Sequence, residues 1–244
     1  MPHPNELTFA NAIGTYNAFW DLGGKLVMDP KVGDHDNWLL TFRQALRGMH
    51  ARIVTVDRSY IQLHGFQSHA PGDMNPNEWG MLCESYAAEI FFGMDSALEC
   101  FVFALNVLGF VRLRGEFCDI TDAKALRQVS PKNILGGDST DKRNPKPGYQ
   151  KMFPRVAALW KTNEALISTI FEYHDVSKHR SSFTVGCHIR HDPKQPDSLM
   201  SSTVHTVESI AHAFQKFMDD LLPMALQEAA AAFGYIVDTK TLAS

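Results

Sequence analysis

Seven residues late in the chain, His174-Asp175-Val176-Ser177-Lys178-His179-Arg180, hold two imidazoles, a carboxylate and two cations. An imidazole can move a proton near neutral pH, and a neighbouring carboxylate can fix its tautomer. Adjacent cations can hold a phosphate or offset the charge that develops on one. Asp175 lies four residues before His179, so the two share a face if a helix continues through the segment. His179 is then a candidate general acid or base, Asp175 its orienting partner, and Lys178 and Arg180 phosphate contacts. His174 falls four residues after Ile170 and seven after Ile167, which continues an apolar stripe. The same residues also suit a plain helix end, with cations complementing the dipole and His174 a core histidine. Spacing alone leaves both readings open.

Three further constellations carry charge or ligand atoms. Arg43, Arg47, His50 and Arg58 fall on one side of a helical pattern and form a cationic stripe that suits an anionic polymer. No aromatic residue interleaves with it for base stacking, and a solvated face is the plain alternative. Asp95 and Glu99 stand at i, i+4 on the most apolar pattern in the chain. Buried carboxylates need partners, and the nearest candidates are Arg43, Arg47, His174 and His179. A divalent metal is the other option, but no Glu-x-x-His pair occurs on a second helix, so ion pairing is expected and no metal. Cys187, His188 and His191 lack a fourth zinc ligand, and strand alternation would send the first two to opposite faces. Gly136-Gly137-Asp138-Ser139-Thr140 lacks the spacing of a phosphate-cradling loop, and His205, Glu208 and His212 read as a solvated helix face. No cofactor is expected.

The elements that must position these groups are helices. Phe9, Ile13, Tyr16 and Trp20 mark a first helix that Gly23-Gly24 is expected to stop. Trp38, Phe42, Ala45, Met49, Ile53, Val56, Tyr60 and Leu63 form a second stripe, with Asp34 or Asp36 to cap it and Gly65 to end it. Asn75-Pro76-Asn77-Glu78 opens a third, from Trp79 to Leu108, that is apolar on nearly every side beyond Tyr86. A short helix within 119–127 and a loop over 130–148 follow. The next long helix is expected over Val156–Phe171. Phe183, Val185, Cys187 and Ile189 alternate with polar residues, which predicts a short β-like arm over 183–190. A last helix over Val204–Leu222 should break or kink at Pro223. The expectation is a single all-α domain over 1–244, a bundle of about five principal helices.

The 244 residues carry a formal charge of −4 with histidine neutral, so nucleic-acid affinity would have to come from a local patch. Four cysteines without Cys-x-x-Cys spacing read as reduced thiols in a cytoplasmic protein. The first residues show neither a basic region nor an apolar core of the signal-peptide kind. The longest apolar run, Cys100–Val111, is interrupted by Asn106 and falls short of the roughly 18 residues of a membrane span, so no membrane partner is expected.

Long amphipathic helices around a segment of the form Arg-[Asn/Asp/His]-x3-His, often with another basic residue next, are the mark of the HEPN superfamily, and this chain resembles it. Asp175 and His179 occupy the motif's polar and histidine positions, and Arg180 the trailing basic one. His174 stands where the motif has its arginine, the residue that orients the RNA phosphate. The resemblance implies an all-α core over about 34–233, a homodimer, and a metal-independent ribonuclease or an RNA- or nucleotide-binding relative of one. Two other classes remain open. One is a non-catalytic helical module that binds a protein partner or dimerises. The other is a carboxylate–metal enzyme centred on Asp95 and Glu99.

Overall fold

The computed structural model describes residues 7–68, 76–131, 134, 148–179 and 199–237, apart from the side chains of 10–11, 66–68, 76–77, 79, 176–179 and 199–206. The fold class is all-α. The α-helices are α1 (Ala10–Met28), α2 (Trp38–Ser68), α3 (Pro76–Arg112), α4 (Ala123–Leu126), α5 (Gly148–Met152), α6 (Pro154–Thr162), α7 (Glu164–His179) and α8 (Leu199–Ala232), and no strand occurs among the described residues. The arm expected over 183–190 and most of the loop expected over 130–148 lie outside the described residues, and Gly148 opens α5.

Four boundaries differ from the sequence expectation. Helix α1 runs through Gly23-Gly24 to Met28. A Cβ on Gly23 would lie 3.1 Å from both Leu39 Cδ1 and Phe42 Cε1, so this glycine lets α2 approach α1 and does not end the helix. Helix α2 continues past Gly65 to Ser68, where no neighbouring atom crowds the glycine. The stripe over Val156–Phe171 is two helices that meet at Asn163. Asn163 leaves helical geometry (φ −100°, ψ 16°), and its side-chain amide donates to the Leu159 carbonyl at 2.9 Å. Helix α8 passes through Pro223 to Ala232. Proline forfeits one ladder bond, but Leu221, Leu222, Ala225 and Leu226 around it are fully buried and hold the helix in place.

The chain divides into two compact units, and α2, α3 and α8 contribute to both. The first takes 1–8, 52–96 and 165–216. It buries Ile53, Val56, Tyr60 and Leu63 of α2, Ile90, Phe91 and Met94 of α3, Ile167 and Ile170 of α7, and Val207, Ala211 and Phe214 of α8. Gly93 permits a close crossing there: a Cβ on it would lie 2.7 Å from Val56 Cγ2 and 3.2 Å from the Arg52 carbonyl.

The second unit takes 9–51, 97–164 and 217–244. Phe101 stacks on Trp160 (centroids 6.1 Å apart, planes at 11°), and Phe217 meets Trp160 edge-on at 5.6 Å. Asn106 is fully buried yet satisfied: its amide donates to the Cys118 carbonyl and accepts from the Cys118 N–H, each at 3.0 Å. Leu39 N–H donates to Asp34 Oδ1 at 3.2 Å, so Asp34 supplies the helix start, while Asp36 pairs with Arg114. Helix α6 has Pro154 at its start and no side-chain cap from Phe153. The Glu228 carboxylate accepts instead from the N–H groups of Arg155 (2.8 Å) and Val156 (3.2 Å).

By length and composition the Gly80–Arg112 stretch of α3 could cross a membrane, although no unbroken apolar run in it is that long. Within the protein, 72% of its most apolar window is buried, which suits a core helix.

Candidate functional site

In the first unit the mainly apolar middle of α3 carries one carboxylate, Asp95, inward. Asp95 is 8% exposed, and its Oδ2 meets Nδ1 of His174 from α7. An ionised carboxylate only accepts, so the imidazole donates through Nδ1. That bond fixes the tautomer of the ring. Phe92, one helical turn before Asp95, meets the His174 ring edge-on at 5.3 Å, and the Arg52 guanidinium lies 4.8 Å over Phe92. Phe91 stacks on Tyr173 at 4.8 Å, a second ring contact between α3 and α7. The result is a row of guanidinium, phenyl, imidazole and carboxylate, with the Phe92 ring 40% exposed.

Sequence reasoning named Asp95 and His174 and missed Arg52 and Phe92. The i, i+3 spacing of Phe92 and Asp95 was the available signal, but an all-round apolar helix hides which ring reaches solvent. Glu99 stands apart from Asp95. It belongs to the second unit and is exposed, so it is not a second buried acid at the Asp95 site. The backbone of α7 is helical through His179, so Asp175 and His179 stand at i, i+4 on one helix, and Asp175 is exposed. The side chains of His179 and Lys178, and all of Arg180, lie outside the described residues. So do Gly136–Thr140, Cys187, His188 and His191. Among the described residues no group of three or more His, Cys, Asp or Glu side chains could hold a metal.

Arg43, Arg47 and His50 come together in the second unit, and their surroundings correct an expectation. Aromatic rings do interleave with them, supplied by α1. The Arg43 and Arg47 guanidinium carbons lie 4.4 and 5.1 Å from the Trp20 ring centre. Tyr16 stacks on His50 at 4.8 Å with planes at 28°. Reading α2 alone could not reveal rings from another helix. Arg58 is exposed in the first unit.

His212 and Glu208 also depart from the solvated face expected of them. His212 Nε2 lies 3.0 Å from the Tyr60 hydroxyl, and Glu208 Oε1 lies 3.6 Å from His64 Nε2. Burial pushes the Tyr60 hydroxyl well above the ordinary phenol range, and the Glu208 charge adds to this. Tyr60 is therefore a neutral hydrogen-bonding group at any physiological pH. The His205 side chain lies outside the described residues. Cys83, Cys100 and Cys118 form no disulfide among the described residues, and burial raises the pKa of the Cys83 thiol.

Comparison of the chain with protein-family models, curated proteins and solved structures finds no match.

Proposed function

We propose that the protein binds RNA or a nucleotide and cleaves RNA without a metal, by imidazole acid–base chemistry at the end of α7. The observation that supports this reading best is the Asp95–His174 pair. It holds one imidazole in a defined tautomer on the same helix that carries His179. A metal-free route needs a nucleophile within the substrate, and the ribose 2′-hydroxyl provides one. A base takes the 2′-hydroxyl proton, the new P–O2′ bond forms as the P–O5′ bond breaks, and an acid protonates the leaving oxygen. His179 takes one of these roles, oriented by Asp175, while Lys178 and Arg180 contact the phosphate. His174, with Asp95 behind it, stands where the HEPN motif has arginine and contacts the same phosphate. Arg43, Arg47 and His50 offer a second anion-binding face, with Trp20 and Tyr16 as rings. The reading takes the working form to be a cytoplasmic homodimer.

The test uses an RNA oligonucleotide and its 2′-deoxy counterpart in the presence of a chelator. The expected result is RNA cleavage that survives the chelator, spares the deoxy strand and falls at least about 100-fold in His179→Ala. A folded protein that neither cleaves RNA nor binds it in a salt-dependent way overturns the reading. The non-catalytic, partner-binding module then becomes the better account, and the exposed Ile61, Met81 and Phe92 of the first unit are the first residues to probe.

A further inference from the structure

Within the second unit, α1, the turn after it, Arg43 of α2 and Tyr235 near the chain's end line an open groove of 820 Å³. That volume falls in the range of about 300–1,000 Å³ typical of small-molecule sites. Its lining mixes charges. Lys25 and Arg43 are cations, Asp21 and Asp29 are carboxylates, and Trp20 and Tyr235 are rings. A track for a polyanion would be uniformly cationic, because each carboxylate repels the backbone it should hold. A mixed lining suits a ligand with one anionic end and several neutral hydroxyl or amino donors.

Arg43 adds an independent pointer. Its Nε is buried and has no hydrogen-bond partner, while its guanidinium carbon lies 4.4 Å over the Trp20 ring. A cation over an aromatic face keeps its N–H groups as donors, which suit a phosphate oxygen. Asp29 is held in place by the Lys31 N–H (2.9 Å) and the Tyr235 hydroxyl (3.3 Å), and a carboxylate so bound still has lone pairs for sugar hydroxyls. The Trp20 ring can take a flat base.

We infer that this groove binds a nucleoside monophosphate. The phosphate lies on Arg43 and Lys25, the ribose hydroxyls on Asp29 and Asp21, and the base against Trp20. The groove shares Arg43 and Trp20 with the proposed nucleic-acid face and rests on that reading to this extent only.

The test is calorimetric titration of the full-length protein with AMP, with adenosine and inorganic phosphate as part-ligands and an RNA oligonucleotide in parallel. Saturable AMP binding is expected, with each part-ligand at least about tenfold weaker. Arg43→Lys keeps the charge but loses the fork and the Nε donor, and should weaken AMP about tenfold. Lys25→Ala, at an exposed position, should weaken AMP severalfold without changing the melting temperature. If Arg43→Lys fails to fold, Lys25→Ala decides the matter. No saturation by AMP, or AMP binding unchanged in Lys25→Ala, overturns the groove whatever RNA does. AMP binding that responds to these substitutions while RNA is neither bound nor cleaved upholds the groove and overturns the proposed ribonuclease.

Discussion

His174 and Asp95 stand 79 residues apart in the chain and meet as imidazole and carboxylate on facing helices, with side chains only 15% and 12% exposed. Removing one partner from a pair this buried costs more than the intact pair contributes, because the other is left without its counter-group. His174→Ala is therefore expected to destabilise the protein by about 3 kcal/mol. Asp95→Asn keeps the shape and a hydrogen-bonding oxygen, and should cost less. Denaturant unfolding of both variants checks the order.

His174→Arg tests the site from the opposite direction. It restores the cation of the HEPN motif and offers Asp95 a guanidinium in place of the imidazole. The expected outcome is a rise in RNA affinity or cleavage, and a steeper loss of affinity with salt. Melting temperature must be followed alongside, because a longer side chain enters a partly closed place. A stable variant with unchanged RNA affinity and cleavage would count against phosphate contact at this position.

Phe101 is 1% exposed and stacked on Trp160 in the second unit. Phe101→Ala should cost about 3–5 kcal/mol, since both the transfer term and the cavity term apply. A near-neutral effect on thermal unfolding would show that α3 is not the core element of that unit.

Alkaline pH probes Tyr60. Its folded hydroxyl titrates above the ordinary value of 10.0, through burial first and Glu208 second. Stability from this shift is fully present below the unfolded value and is lost as pH rises through the folded one. Wild-type stability should therefore fall once pH passes about 10, where the unfolded tyrosine begins to ionise. Tyr60→Phe removes that titration and should flatten the decline. Part of it will remain, because burial raises Tyr149 in the same direction. Melting curves across the alkaline range give the two slopes.

The long helices were legible because apolar residues recur every three or four positions, and because Asp34 stands ready before the start of α2. The boundaries were less so. Gly23 looks like a stop signal, and only Leu39 and Phe42 across from it show that it is a spacer. The break at Asn163 was hidden because Trp160 and Ile167, seven residues apart, keep one apolar phase on both sides of it. The Asp95–His174 meeting could be anticipated, since a carboxylate on the buried side of a mainly apolar helix must find a partner. The rings beside Arg43 and His50, and the Arg52–Phe92 contact, join residues from different helices, which no local period reports.

Glu228 has a consequence for the order in which the chain becomes structured. The start of α6 has no side-chain cap of its own and takes one from a residue more than seventy positions downstream. During synthesis, Arg155 and Val156 leave the ribosome well before Glu228 exists, and their N–H groups must bond water until α8 arrives. The first turn of α6 is thus expected to gain hydrogen-exchange protection only with the last helix, and a nascent chain stopped short of residue 228 should show it frayed.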